Sequence, residues 1–298
     1  MPDTLRASTY LDKGGTGKTT STAHLGAALH ELGHRVLLID LAGKQGDLAD
    51  ALGAYEDVQE DIENEDDFPN IATTMGNRWQ DVAGVLDEGE AIDRLVYETS
   101  EGFDLIPAHP DLDGLDADLG NVDDTSERYG RLRRFLDDHV DPLDRWDVVL
   151  LDLPGAANNI TYNGLWATHD VLAPVAMGSF ELKQARALEN DLAYIRDPDN
   201  YGVDVRLTML IPNLYDRRTN LDEEILEEFE DEFGDTLAPE IVVDSQQVKN
   251  VTDAGHSLFA LEDDELSNTG RDARDAFLAN ARELHERLQT TTVTQTND

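Results

Sequence analysis

The sequence predicts an α/β protein with a doubly wound, mostly parallel sheet and helices on both faces. Three observations support this prediction. Short apolar runs alternate with amphipathic helical patterns, a glycine-rich loop joins the first run to the first helix, and 40% of the 298 residues are hydrophobic. Alternation of this kind is typical of βαβ units, whose right-handed crossovers place helices on both faces of one sheet.

The first βαβ unit is the clearest part of the pattern. Residues 5–11 and 35–40 have the composition of buried strands, and residues 18–32 between them have the length and spacing of a helix. Gly33 follows this helix, at a position where glycine commonly ends one. We therefore expect the glycine-rich loop to lie between a strand end and a helix start.

Further strands and helices alternate along the rest of the chain. The predicted strands are residues 103–107, 147–152, 171–175, 205–211 and 241–243. The predicted helices are residues 125–140, 181–195, 221–233 and 272–288. No internal repeat interrupts this order, so we expect a single domain over residues 1–288.

Two segments depart from the alternation. Residues 55–70 are acidic with little apolar periodicity, which predicts a solvated surface insertion or loop. Residues 289–298 are polar and rich in threonine, which predicts a flexible tail.

The charge composition is extreme. The formal net charge is −41, and the chain has five lysines against 18 arginines. Such a charge destabilises a compact protein in dilute buffer, but molar salt shortens the Debye length to about 3 Å and screens it. The composition therefore predicts a protein from a salt-rich cytoplasm; an ordinary acidic protein from a low-salt cell is the alternative.

Composition also excludes several classes of site. The chain has no cysteine, which excludes disulfides, thiolate zinc sites and cysteine-ligated iron–sulfur clusters. It has no run of 18 apolar residues and no apolar segment after Met1, so we expect a cytoplasmic protein without a membrane span.

The glycine-rich loop carries the strongest functional signal. It reads Lys13, Gly14, Gly15, Thr16, Gly17, Lys18, Thr19, Thr20. Glycines let backbone amides curl around phosphate oxygens, and the following helix adds the positive end of its dipole. Lys18 is expected to reach the β- and γ-phosphates of ATP, and the Thr19 hydroxyl to ligate Mg²⁺. The loop predicts a P-loop nucleotide-binding protein.

A carboxylate at the end of a buried strand is the second signal. The apolar residues 148–151 lead directly to Asp152, which we expect to hold Mg²⁺ through water. Many buried strands end in aspartate as a simple cap, but this strand follows the phosphate loop in the order that a nucleotide site requires.

The extra lysine of the loop, Lys13, resembles the signature lysine of the deviant Walker A ATPases. This family contains ParA, Soj, MinD, arsenical-pump ATPases and the nitrogenase iron protein, and its lysine crosses a dimer interface to the ATP of the partner. A solvent-exposed lysine at a loop start is the alternative for Lys13.

The resemblance covers nearly the whole chain and is closest to the ParA/Soj branch. Residues 37–41 and 46–53 resemble the strand into switch I and the segment after it, residues 153–155 resemble switch II, and residues 215–221 resemble a segment characteristic of ParA proteins. The resemblance implies catalytic roles for Lys13, Lys18 and Asp40, with Asp40 also near the metal. It places Asn213 where family members contact adenine, and it implies an ATP-dependent homodimer that positions cargo.

Two positions depart from the family pattern. Family members carry a second aspartate two residues after the one equivalent to Asp40, and it orients the attacking water; this chain has Ala42, natural or introduced. Asp47, displaced by an apparent insertion in residues 43–46, is a candidate substitute. Residues 242–244 read Val-Val-Asp where the branch commonly has Ile-Pro-Arg, which weakens the expected base or DNA contacts.

The partners follow from the same resemblance. ParA proteins bind nonspecific DNA through basic residues and respond to a ParB-like partner. The candidate arginines here are Arg217, Arg218, Arg271, Arg274, Arg282 and Arg287. Pairing of these arginines with neighbouring acids is the alternative, and DNA binding weakens steeply with salt.

Other functions remain as alternatives. MinD-like membrane attachment requires an amphipathic C-terminal helix, and residues 290–296 have no apolar face. A nitrogenase iron protein requires cysteines. A small-molecule P-loop enzyme and an ATP-locked scaffold dimer, the latter favoured by Ala42, stay open.

Overall fold

The computed structural model describes residues 4–42, 47–64, 66–76, 79–86, 88–215 and 220–295. Within these residues, seven strands form one sheet in the order β3-β4-β2-β5-β1-β6-β7. The strands are β1 Leu5–Thr9, β2 Val36–Asp40, β3 Tyr97–Glu98, β4 Asp104–Ile106, β5 Val148–Asp152, β6 Asp170–Ala176 and β7 Arg206–Asn213. All neighbouring strands pair in parallel except β3, which is antiparallel to β4.

The α-helices of the described residues alternate with these strands. In chain order, α1 to α7 are Lys18–Glu31, Asp47–Ala51, Tyr55–Glu63, Ile71–Met75, Trp79–Ala83, Glu88–Asp93 and Asp111–Leu119. Helices α8 to α14 are Thr125–Tyr129, Arg131–Phe135, Asn159–Thr168, Ser179–Arg196, Asn220–Phe233, Gln246–Thr252 and Asn268–Gln295. The predicted doubly wound α/β fold is confirmed.

The core has two layers, one on each face of the sheet. Successive residues of a strand point to opposite faces, so Leu37 and Ile39 of β2 join one apolar cluster and Leu38 joins the other. Helices α9, α10 and α11 cover the first face, and α1 and α14 cover the second. Because both faces are buried, the central strands read as continuous apolar runs.

Two predicted segments differ from the helices in the structure, one in its interior and one at its end. The segment 125–140 is broken: α8 ends at Tyr129, Gly130 separates it from α9, and a wider helical turn follows over Leu136–Val140. Glycine is a weak helix former, which the periodicity does not register. The last helix extends to Gln295, so residues 289–295 are helical where a flexible tail was predicted. The Thr290 hydroxyl bonds to the carbonyl of Glu286 on the preceding turn.

Two further segments differ from their predictions. The acidic segment 55–70, predicted as a solvated surface insertion or loop, begins with helix α3, because Val58 is buried and Ile62 packs against the same cluster one turn later. Residues 241–243 do not form a sheet strand; Val243 makes only an isolated bridge with Tyr215 beyond the end of β7. The first helix, in contrast, ends as predicted, since Gly33 adopts a left-handed conformation with φ of 89°.

Candidate nucleotide-binding site

The phosphate loop lies between the end of β1 and the start of α1. Gly15 and Gly17 have φ values of 80° and 82°, in the left-handed region that favours glycine. Gly17 is also packed so closely that a Cβ there would collide with the Asn213 side-chain amide. The loop opens into a cleft of about 670 Å³, lined by residues of the loop, of both switch segments and of α7. The 14-residue α1 directs its N-terminus at this cleft, an arrangement suited to phosphate.

Lys18 lies within the loop rather than in solvent. Its Nζ donates a hydrogen bond to the Lys13 carbonyl. Gly155 of switch II lies so close that a Cβ there would be 3.0 Å from Lys18 Nζ. Burial lowers the pKa of the Lys18 ammonium, and the carboxylates of Asp152 and Asp12 oppose that shift. The predicted phosphate-binding lysine therefore lines the cleft.

Thr19, Asp152 and Asp40 converge at the carboxyl ends of three neighbouring strands. Thr19 Oγ1 donates to Asp152 Oδ2 at 2.6 Å, and Asp40 is directly opposite Asp152 in the β2–β5 pairing. Both carboxyls are 1% exposed. Burial raises the pKa of each; the charge of Asp152 adds to the rise at Asp40, whereas the bond from Thr19 and the charge of Lys18 oppose the rise at Asp152.

These oxygen donors fit Mg²⁺. Two buried carboxyls and a hydroxyl are hard oxygen ligands, and burial, which raises the pKa of both carboxyls, favours a cation beside them. No group of three or more His, Asp or Glu side chains forms a complete metal cage in the described part of the chain. Mg²⁺ is normally bound by one or two carboxylates together with substrate phosphates, which agrees with this incomplete donor set.

Asp40 also organises the start of switch I. Its Oδ1 accepts from the Ala42 backbone N–H at 2.8 Å and its Oδ2 from that of Leu48 at 3.4 Å. Ala42 lines the cleft, and its methyl group has no acceptor for a water molecule. Residues 43–46 lie outside the described residues. Asp47, at the start of α2, lines the same cleft.

Asn213 connects the end of β7 to the phosphate loop. Its Nδ2 donates to the Thr16 carbonyl at 3.0 Å, and its Oδ1 accepts from the Leu214 N–H at 2.9 Å. Asn213 therefore lies beside the nucleotide cleft as expected, while its contact with adenine stays a prediction. Of the ParA-like segment 215–221, residues 216–219 lie outside the described residues.

Lys13 lies at the rim of the cleft. Its Nζ is 2.6 Å from Glu181 Oε1 and 4.7 Å from the centre of the Phe180 ring. Glu181 and Phe180 belong to the first turn of α11. Sequence reasoning missed this neighbour because no local pattern relates residues 168 positions apart. It also missed the wall formed by α7, which contributes Leu112, Asp113 and Asp116 to the cleft.

Three of the six candidate DNA-binding arginines have protein partners in the structure. Arg274 pairs with Asp263 at 2.6 Å, and Arg271 donates to the carbonyl of the same residue. Arg287 donates to the carbonyls of Thr208, Thr236 and Leu237 and pairs with Glu283. These contacts favour a structural role for the three. Arg217 and Arg218 lie outside the described residues, and DNA binding stays a prediction. In the part of the chain that the structure describes, no helix is long and apolar enough to cross a membrane.

Comparisons with known proteins agree with this geometry. Residues 7–205 match the AAA domain family. The chromosome partitioning protein ParA of Caulobacter vibrioides is 30% identical over 275 residues, which cover 92% of this chain and 91% of that protein.

Two solved structures extend the likeness to the fold. Cobyrinic acid a,c-diamide synthase of Mycobacterium smegmatis, with bound ADP and magnesium, has a TM-score of 0.64 and 27% identity and covers 84% of this chain and 91% of its own. The ATP complex of an Asp-to-Ala variant of Cyanothece McdA has a TM-score of 0.70 and 17% identity. It covers 96% of this chain and 98% of its own. The phosphate loop, the carboxylate pair and these matches together show that the chain belongs to the ParA/Soj/MinD family of P-loop ATPases.

Proposed function

We propose that this protein is an ATPase that uses ATP and Mg²⁺ to form a homodimer and to position DNA or another cargo. The observation that carries the proposal is the convergence of Lys18, Thr19, Asp40 and Asp152 at one edge of the sheet, with Lys13 at the rim. The relatives named as chromosome partitioning protein ParA in Caulobacter vibrioides and chromosome-partitioning ATPase Soj in Thermus thermophilus support the partitioning role.

The residues of the site have three roles in this proposal: phosphate binding, Mg²⁺ binding and contact with the second subunit. Loop amides and Lys18 would bind the phosphates of ATP, and Thr19, Asp152 and Asp40 would hold Mg²⁺. Bound Mg²⁺ neutralises charge on the β- and γ-phosphate oxygens. Lys13 reaches the nucleotide of the second subunit, so that the dimer forms only when ATP is present.

Hydrolysis is slow in this proposal. Ala42 leaves the attacking water without the carboxylate that usually orients it, and help of that kind contributes about 10²–10⁴-fold. Asp40 does not replace it, because it is 1% exposed and the proposal assigns its carboxylate to Mg²⁺. Asp47 is the candidate substitute, since it lines the cleft.

The test compares the protein with Ala42→Asp in molar KCl with Mg²⁺. We expect the parent to bind ATP as a stable dimer with slow turnover, and the variant to hydrolyse at least about 10²-fold faster. Turnover is measured by phosphate release and oligomer size by light scattering on the same samples. Rapid turnover by the parent would show that another residue orients the water, with Asp47→Asn as the next variant.

The partner is a DNA surface or a ParB-like cargo adaptor. Because Arg271, Arg274 and Arg287 are committed to protein contacts, a protein adaptor is the better-supported partner at high salt. Stimulation of turnover by DNA with an adaptor supports partition, whereas ATP binding without any turnover supports a scaffold dimer.

A small-molecule enzyme is the second candidate function. It is favoured by one observation, the 27% identity with the mycobacterial protein named as cobyrinic acid a,c-diamide synthase. Turnover that depends on a small carboxylic acid and an amide donor, with no effect of DNA or adaptor, would favour this alternative.

A further inference from the structure

Both lysines of the phosphate loop are bound by acceptors of the chain itself. Lys18 donates to the Lys13 carbonyl, and Lys13 Nζ forms an ion pair of 2.6 Å with Glu181 and lies over the Phe180 ring. When nucleotide is bound to such a loop, phosphate oxygens accept hydrogen bonds from its lysines and backbone amides. Glu181 is therefore a competitor for the ammonium group that the proposed function assigns to the partner's ATP.

The sheet topology explains why Glu181 is there. Strand β6 pairs in parallel with β1, so the start of α11 after β6 lies beside the loop after β1. Glu181 is in the first turn of α11, where the helix dipole favours an acidic side chain. Its side chain is 17% exposed and that of Lys13 is 31% exposed, so salt screens the pair less than a fully exposed one.

Gly178 leaves the space that the Glu181 carboxylate occupies. It precedes α11 in an extended conformation, with φ of −176°, which any residue adopts. A Cβ at this position would collide with Glu181 Oε2 and lie 3.3 Å from Glu181 Cδ. Gly178→Ala would therefore keep the backbone but force the Glu181 carboxylate to shift from the position in which it pairs with Lys13.

We propose that Glu181 is a positioning residue that holds Lys13 within its own subunit and thereby raises the ATP concentration at which two subunits associate. The proposal rests on the proposed function, because it takes Lys13 as the residue that reaches the second nucleotide. A partly exposed ion pair with a cation–π contact shifts an equilibrium by roughly 5- to 30-fold. Glu181 therefore sets a threshold for dimerisation and does not prevent it.

The experiment measures the ATP concentration of half-maximal dimerisation by light scattering, in molar KCl with Mg²⁺. Glu181→Gln removes the competing charge, and Gly178→Ala displaces the carboxylate without changing any charge. Glu189→Gln is the matched control, because it breaks an ion pair of 2.6 Å with Arg196 in the same helix. ATP binding to each variant is followed separately with a fluorescent ATP analogue.

We expect Glu181→Gln and Gly178→Ala each to lower the half-maximal ATP concentration by roughly 5- to 30-fold, and Glu189→Gln to leave it unchanged. An unchanged or higher value for Glu181→Gln would overturn the inference; a higher value would mean that Glu181 acts within the dimer.

The variant Lys13→Ala separates this inference from the function on which it rests. If it abolishes dimerisation while Glu181→Gln has no effect, only the inference fails. If the parent binds ATP and stays monomeric, or if Lys13→Ala dimerises like the parent, the proposed role of Lys13 fails and the inference fails with it.

Discussion

His24 is a buried histidine with two defined hydrogen bonds. It lies in α1 and is fully buried; Nε2 accepts from the Leu258 backbone N–H at 3.3 Å, so Nδ1 carries the proton and donates to the Thr20 carbonyl at 2.9 Å. Its ring stacks on Phe277 of α14. A proton on Nε2 would break the first bond and place a charge in the core, so burial lowers the pKa of His24 to about 4.

This pKa predicts a pH dependence of stability. Because the pKa is lower in the folded than in the unfolded chain, the stabilisation is complete above the unfolded value of 6.5 and is lost as the pH falls towards 4. Between pH 7.5 and pH 5 we expect His24 to account for a loss of about 2 kcal/mol in the free energy of unfolding.

The measurement compares urea unfolding of the parent and His24→Gln across this pH range at constant KCl. Glutamine does not titrate, so the stability difference between the two proteins should narrow as the pH falls. Parallel curves would show that His24 does not titrate on unfolding in this range.

Among the secondary-structure elements, α14 contributes most to the second face of the core. Its inward residues recur at helical spacing and are all buried: Ala273, Ala276, Phe277, Ala281, Leu284 and Leu288. The same helix supplies Asn280, whose side chain bonds to both backbone groups of Glu240. The helix therefore covers the same sheet face as α1 and packs against α1.

Leu284→Ala tests this role, because Leu284 is fully buried. We expect the free energy of unfolding to fall by about 2–5 kcal/mol through lost burial and a residual cavity. Gln289→Ala, on the exposed side of the same helix, should change it by less than about 0.5 kcal/mol. Denaturant unfolding of both variants checks the prediction; an equal effect at the two positions would contradict the packing described.

For the whole molecule, the dominant electrostatic feature is the net charge of −41. Many arginines pair with acids, as in Arg6 with Asp137 and Asp141, but 23 basic residues cannot balance the charge of 64 acids. Repulsion among these acids destabilises the folded chain until salt screens it.

We therefore expect the unfolding temperature to rise by at least about 4 °C between 0.1 M and 2 M KCl, which corresponds to about 1–2 kcal/mol for a chain of this size. Sucrose at matched osmolality is the control, since it does not screen charge. An equal rise with sucrose would mean that solute exclusion, and not charge screening, stabilises the protein.

The sequence by itself determined the fold class, the central strands and the local part of the nucleotide site. Buried parallel strands are continuous apolar runs, so the central strands can be predicted from neighbouring residues. Lys18, Thr19 and Asp152 belong to short motifs whose spacing indicates their chemistry, so this part of the site can be predicted in the same way. The periodicity does not reveal helix α3, which depends on the packing of Val58 and Ile62, or the break at Gly130, which depends on one weak helix former.

Only the tertiary structure decided which distant residues share the site. The pairing of β1 with β6 brings Glu181 to Lys13, and the end of β7 brings Asn213 to the phosphate loop. Helix α7 likewise closes the cleft from a position that no motif indicates. These neighbours follow from strand order, and strand order is set by the packing of the whole sheet, which no local pattern of residues contains.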